Sequence, residues 1–209
     1  MTTLPLGEVP QDFGVLPEKM LACTIRPDRE GDPATAMRIE EVDLPPVGPN
    51  EALVLVMAAG VNFNGVWAAR GKPVSVFKMH GEPFHIAGSD ASGIVWKVGD
   101  QVKRWKVGDE VVVHCNQSCG QCPECNGLDP MACSEQKILG SHFCNAYQAE
   151  RANQLVHEGK IRPVLDQAFP FGETARAHAL MAANQHKGKI GIAIQCAAAV
   201  LPRGEEQAA

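Results

Sequence analysis

The chain lacks several features that would place it quickly. No apolar run approaches the ~20 residues needed to cross a bilayer, and the opening stretch MTTLPLGEVPQDF has neither the basic nor the apolar segment of a secretory signal. Lys and Arg number 19 against 24 Asp and Glu, a net charge of −5, and they are scattered, so no basic stripe is available for nucleic acid. No Gly-x-Gly-x-x-Gly turn follows a strand and opens a helix. Gly60 and Gly65 in AAGVNFNG have the wrong spacing, and Gly188 and Gly191 in GKIGI precede a terminal strand. These absences argue against a membrane protein, a secreted protein, a nucleic-acid binder and a self-contained dinucleotide fold. The expected setting is cytoplasmic.

What is present fits a globular chain. Its 209 residues, 45% hydrophobic and 21% charged, make one generous domain or two small ones. In a reducing compartment the eight cysteines are expected as thiols or metal ligands rather than disulfides. The first 20 residues, rich in Pro, Gly and acid, read as an extension over a core. From Leu21 the pattern is strand-like: LACTIRP and MRIEEVDLP alternate, and EALVLVMAAGV is an apolar run of buried-strand length. ASGIVWKVG and DEVVVHC read as further strands. They carry a short repeat, Trp96-Lys-Val-Gly-Asp100 and Trp105-Lys-Val-Gly-Asp109, expected as two turns of a meander. After Ser141 the period becomes helical. NAYQAERANQLVHEGK predicts a helix ending at Gly159, and ETARAHALMAANQHKGK a second one stopping at Gly188. KIGIAIQCAA predicts a last strand, and the tail frays. The expected order is many strands, then helix, helix, strand: a mainly β, α+β fold.

Cys119-x2-Cys122-x2-Cys125-x7-Cys133 is the sharpest local signal. Four thiolates so closely spaced can occupy the corners of a tetrahedron, the arrangement of a closed Zn²⁺ site, with Gly120, Pro123, Gly127 and Pro130 supplying the reversals. With no open position, such a zinc is structural and couples to the ordering of its lobe. Cys23, Cys115, Cys144 and Cys196 fall outside the motif and read as small core residues.

The cysteine spacing resembles the structural-zinc lobe of the medium-chain dehydrogenase/reductase superfamily, and VGDQVKRWKVGDEVVV resembles its GroES-like catalytic domain, a partly open barrel. Longer phrases sharpen the match: GVNFNGVWAARGKPVSVF, HIAGSDASGIVWKVGDQVKRWKVGDEVVVHCNQ and GSHFCNAYQAERANQLVHEGKI resemble the crotonyl-CoA carboxylase/reductase group and related enoyl-CoA reductases. Zinc alcohol dehydrogenases place a metal-binding Cys after a Gly-Val pair and a His in Gly-His-Glu. Here Asn62 follows Gly60-Val61, and Gly88-Ser89-Asp90 stands in the second place. Asn and Ser are poor substitutes for thiolate and imidazole, so a catalytic zinc is not expected.

The resemblance implies a substrate domain for NADPH-dependent hydride addition to an enoyl-CoA, the enolate being captured by CO₂ or by a proton. It assigns the catalytic Asn to Asn64 and the catalytic His to His142. Asn62 either shares the substrate contact or fixes its loop, and Asp90 orients the loop carrying Asn64. Taken by themselves, Asn64 reads as a turn or cap amide and His142 as a histidine satisfied by backbone near a helix start. His80 and His85 read as surface or supporting groups. The segment VWAARGKPVSVF would line a substrate channel or be core.

The family's dinucleotide domain would fall between Gly140 and Ser141, where KILGSHFCN runs straight on. The expected organisation is an extension (1–20), a GroES-like part (21–140) with a zinc lobe (115–136), a returning part of the same domain (141–200) and a flexible tail (201–209). Zn²⁺ is expected as a structural ion, and NADPH as the parent enzyme's cofactor rather than a ligand of this chain alone, which is expected to be inactive. Acyl-CoA or enoyl-CoA is the expected partner, with CO₂, and so is self-association through surface that a cofactor domain would cover. The alternatives are a non-catalytic acyl-CoA- or protein-binding module and a zinc-lobe scaffold for interactions.

Overall fold

A computed structural model describes residues 3–13, 15–113 and 146–195. The alternating and apolar stretches become strands: β1 (Lys19–Ile25), β2 (Arg38–Asp43), β3 (Ala52–Gly60), β4 (His85–Ile86), β5 (Ala91–Val98) and β6 (Glu110–Val113). Later come β7 (Leu165–Pro170) and β8 (Lys189–Ala193). The helices are α1 (Pro33–Ala36), α2 (Phe63–Arg70), α3 (Val76–His80), α4 (Ala146–His157) and α5 (Thr174–Ala182).

Two sheets form. One is antiparallel with order β2-β1-β4, and the other runs β6-β5-β3-β8-β7. In the second, β3 pairs antiparallel with both β5 and β8, whereas β7 and β8 are parallel and joined through α5. Among the described residues the strands do not close into a ring, as a partly open GroES-like barrel requires.

The chain divides into two compact units, Met1–Val112 with Val164–Ala209, and Val113–Pro163. In the second unit the described secondary structure is α4, close to the helix expected there. In the first, an apolar core forms where Ile25 of β1, Val66 and Ala69 of α2, Ala177 and Met181 of α5, and Ile190 and Ile192 of β8 converge. Ile25, Val66 and Ile190 are fully buried, each contributing about 1.5–3 kcal/mol on area grounds. Cys23 is buried there, as a core thiol should be, and burial pushes its pKa up to about 12.

The N-terminal extension lies over this unit. Thr3 bridges Lys19 in parallel, the Glu8 amide donates to Gln195 Oε1 (3.1 Å), and Phe13 meets Trp96 edge-on. Leu4 and Leu6 wall a cavity of about 130 Å³ with Leu53, Leu55 and Trp96.

Two expectations are corrected. The order is not strands followed by helix, helix, strand: α1, α2 and α3 interrupt the early strands, and β7 separates α4 from α5. The helix expected to stop at Gly188 ends at Ala182, because Asn184 takes the left-handed conformation (φ 55°) and breaks the ladder first. Gly188 instead turns the chain into β8, where the Lys189 amide donates to Val164 O (2.8 Å). The sequence repeat does supply two turns, at Asp100–Gln101 and Val107–Gly108, but its two tryptophans differ in surroundings. Trp96 is 5% exposed inside β5, whereas Trp105 is 39% exposed beneath the Arg104 guanidinium.

Candidate functional site

The end of β3 delivers the first site residues. Val61 donates its amide to Ile190 O (2.9 Å), which pins the chain to β8 just before α2 begins. Asn62 occupies the N-cap of α2 in extended conformation, yet its side chain makes no capping bond. Its Oδ1 accepts instead from Lys189 Nζ at the start of β8. That ammonium also lies 3.2 Å from Asp90 Oδ2, on the segment entering β5. Both side chains remain about two-fifths exposed, so the ion pair is weak as a stabiliser and matters chiefly for where it puts charge. Gly60 makes the crossing possible: a β-carbon there would lie 2.6 Å from Lys189 Cε and 2.9 Å from Asp90 Oδ2.

Asn64, in the first turn of α2, is committed at both ends. Its Nδ2 donates to Ser89 Oγ (2.9 Å), and its Oδ1 accepts from the Gly65 amide (2.9 Å). Asn62, Asn64 and Asp90 therefore meet at one place, at the junction of β3, α2, β5 and β8. Asp90 pairs with Lys189, while its neighbour Ser89 accepts from Asn64. The positions that carry metal ligands in zinc alcohol dehydrogenases, here Asn62 and Ser89, are both engaged in these hydrogen bonds.

The helix carrying the asparagines is itself wedged in place. Gly65 faces His178 of α5 so closely that a β-carbon would overlap Nε2 and lie 2.7 Å from Cδ2. His178 Nδ1 donates to Thr174 O (2.9 Å), and burial holds its imidazole below the ordinary value, with that hydrogen bond opposing. The far end of α2 closes with Gly71 in the left-handed conformation, its amide donating to Ala68 O (3.3 Å). The two faces of α2 then divide: Val66 and Ala69 are core, whereas Phe63 and Trp67 form an edge-to-face pair exposed beside Asn64. The segment VWAARGKPVSVF is thus partly core and partly surface, since Trp67 and Val74 are both 52% exposed.

Nearby, His80 and His85 stack with ring centroids 5.5 Å apart, and the Glu82 amide donates to His80 Nδ1 (3.0 Å). Burial, then the neighbouring His80, lowers the pKa of His85. His142 and the four zinc-motif cysteines, Cys119, Cys122, Cys125 and Cys133, lie outside the described residues, as do Cys115, Cys144 and Cys196. Two residues of this region were not read from sequence. His178 sits in an unremarkable helical run, and Lys189 in GKIGI looks like a strand-edge lysine; neither carries a local signal.

Comparison with known proteins agrees with this layout. Residues 48–160 match the model of the alcohol dehydrogenase GroES-like domain. A crotonyl-CoA carboxylase/reductase from Cereibacter sphaeroides is 60% identical over 135 residues, covering 65% of this chain and 31% of that enzyme. The chain spans about a third of the length of the curated relatives it matches. Among solved structures, the crotonyl-CoA carboxylase/reductase AntE in complex with NADP is 47% identical, with TM-score 0.61 over 66% of this chain and 35% of that one. A further crotonyl-CoA carboxylase/reductase structure, 24% identical, shares the fold with TM-score 0.87 over 93% of this chain and 92% of that one. The chain belongs to the alcohol dehydrogenase GroES-like domain family of the medium-chain dehydrogenase/reductase superfamily, with crotonyl-CoA carboxylase/reductases among its near relatives.

Proposed function

We propose that this chain is the substrate domain of an NADPH-dependent enoyl-CoA carboxylase/reductase-like enzyme. The observation that carries the reading is the 60% identity with a crotonyl-CoA carboxylase/reductase, in a chain whose Asn62 and Ser89 replace the zinc ligands of alcohol dehydrogenases. The reaction class is hydride addition to the β-carbon of an enoyl-CoA, followed by capture of the enolate by CO₂ or a proton. Here the amides of Asn62 and Asn64 supply hydrogen-bond donors to substrate oxygens, and His142 supplies a further donor or the competing proton. Asp90 orders the pocket through Lys189.

The chain's own residues do not fit a dinucleotide, since no strand–Gly-x-Gly-x-x-Gly–helix unit occurs in the sequence. The hydride donor therefore belongs to a domain that this chain does not carry, and we place its boundary at Gly140–Ser141. Pairing of β8 with β3 supports the idea that the returning part completes the same domain as residues 21–140. Cys119, Cys122, Cys125 and Cys133 form a donor set suited to one structural Zn²⁺ in the lobe 115–136. Surface that the cofactor domain would cover gives the chain a route to self-association.

The test is crotonyl-CoA-dependent NADPH oxidation by the purified chain, with and without a cofactor domain from a crotonyl-CoA carboxylase/reductase inserted between Gly140 and Ser141. We expect no turnover from the chain alone and measurable turnover from the fusion. Robust turnover by the chain alone would overturn the proposal. Tight acyl-CoA binding with no turnover in a folded fusion would favour the non-catalytic acyl-CoA-binding module instead.

A further inference from the structure

We propose that Lys189 is a positioning residue that locks the Asn62 carboxamide, making its NH₂ the donor aimed at the substrate's thioester oxygen. The inference rests on the enoyl-CoA reading above and goes beyond it by separating the roles of the two asparagines.

An N-cap Asn ordinarily turns its side-chain oxygen onto the helix, accepting from the N2 or N3 amide and contributing about 1 kcal/mol. Asn62 holds the N-cap position of α2 with the right backbone and forgoes that bond. Its oxygen goes instead to Lys189 Nζ. A local rule broken in this way points to a side chain reserved for something else.

The partner fixes which way the amide faces. An ammonium has three donors and no acceptor, so it can bind Oδ1 but never Nδ2. With Oδ1 held, both hydrogens of Nδ2 are presented away from Lys189, and no acceptor among the described residues takes them. Asn64 is differently placed, because Ser89 Oγ takes one of its amide hydrogens and Gly65 occupies its oxygen. Of the two amides, Asn62 is the one whose donor end has no acceptor among the described residues.

The lysine is itself located by three features. It begins β8, whose pairing with β3 sets Gly60 opposite Gly191. The missing side chain at Gly60 leaves the corridor through which its stem passes. Asp90 anchors the ammonium from the far side at 3.2 Å. A cation bonded to the amide oxygen polarises the carboxamide and strengthens its N–H donors, and the effect is largest when negative charge develops on the bound oxygen, as in an enolate. Without the lysine the amide could rotate and present its oxygen, which repels a thioester oxygen.

The test uses the ¹⁵N-labelled chain and follows the side-chain NH₂ resonances of Asn62 and Asn64, assigned with Asn62→Ser and Asn64→Ser. In the ligand-free protein, Lys189→Met is expected to move the Asn62 pair and leave the Asn64 pair in place, whereas Lys189→Arg stays near wild type. Asp90→Asn should move the Asn62 pair in the same direction by less, and it serves as the second variant if Lys189→Met does not fold. On adding millimolar crotonyl-CoA, the Asn62 pair is expected to shift more than the Asn64 pair. Affinity should fall about tenfold in Lys189→Met, the value of one hydrogen bond. Unmoved Asn62 resonances in both Lys189→Met and Asp90→Asn, or a ligand shift confined to Asn64, overturn the inference and leave the enoyl-CoA reading standing. If crotonyl-CoA shifts no site resonance, the enoyl-CoA reading fails for this chain, and with it the substrate-facing role given to Asn62. The ligand-free spectra then still show whether Lys189 sets the amide.

Discussion

Gly65 and His178 pack with no room between them: the Cα of one helix rests where the imidazole of another begins, and a methyl group at Gly65 would overlap Nε2. Two opposing effects bear on Gly65→Ala. Alanine is the better helix former by about 1 kcal/mol, but forcing a methyl into a closed core contact costs about 1–3 kcal/mol. Because His178 is buried and tied to Thr174 O, it cannot swing aside. We expect Gly65→Ala to lower the melting temperature by several degrees, and the loss to shrink when His178→Ala is added. A double-mutant cycle with no coupling would contradict this contact.

Acid should weaken the fold through the same histidine. The folded pKa of His178 lies below 6.5, chiefly because of burial, and that of His85 is lowered by burial and then by His80. A depressed histidine stabilises the fold above its unfolded value, and the contribution is lost as pH falls below 6.5 toward the folded one. Each group can add at most about 1.4 kcal/mol per pH unit to that slope. Thermal melts between pH 7.5 and 5.5 should therefore steepen below 6.5, and His178→Gln should flatten the curve.

Glu40 carries a separate acid dependence, at lower pH. It accepts from Arg26 Nε (2.8 Å) and Arg29 Nη1 (2.6 Å), and the Arg26 bond leads in pulling its pKa from 4.5 to about 2. Its contribution is present above pH 4.5 and disappears as pH falls toward 2. Arg26 is 38% exposed, so water screens part of the effect. We expect Glu40→Gln to cost about 1–2 kcal/mol at pH 7, and the gap from wild type to close below pH 4.5 in denaturant titrations.

Gly60→Ala should separate stability from binding. The new methyl would meet the flexible ends of Lys189 and Asp90 rather than backbone. Those side chains can yield, so the melting temperature should change by only a few degrees. The Lys189–Asn62 bond would be displaced, and the crotonyl-CoA-induced shift of the Asn62 amide should vanish. A full ligand response in this variant would count against the site as drawn.

The four-cysteine set predicts one zinc per chain. Elemental analysis of the purified protein should find about one equivalent, and Cys122→Ser should lose it. Chelation should lower thermal stability, because metal binding and lobe ordering are coupled. Metal-free protein with an unchanged melt would remove the structural-zinc proposal.

The strands were the most legible part of the fold, because burial writes itself locally as alternation or as an apolar run. LACTIRP, EALVLVMAAGV and KIGIAIQCAA all lie where strands form. The helix carrying the asparagines was not legible. Phe-Asn-Gly-Val-Trp has weak helix propensity, and α2 exists because Val66 and Ala69 find a core and Gly65 admits His178. The strand β7 was missed for a similar reason, since LDQAFP acquires its conformation from parallel pairing with β8.

The sequence by itself determined the family and the four-cysteine spacing and marked Asn62 and Asn64 as candidates, since these depend on residue types at short separations. It also singled out Asp90, which the structure brings to the same place. Tertiary structure alone decided that Lys189 reaches Asn62 across 127 residues, that Ser89 rather than Asp90 holds Asn64, and that among the described residues no acceptor takes the Asn62 amide hydrogens. Such relationships arise where strands distant in the chain pair side by side. Short-range pattern cannot encode them, because neither residue carries a mark of its partner until the sheet forms.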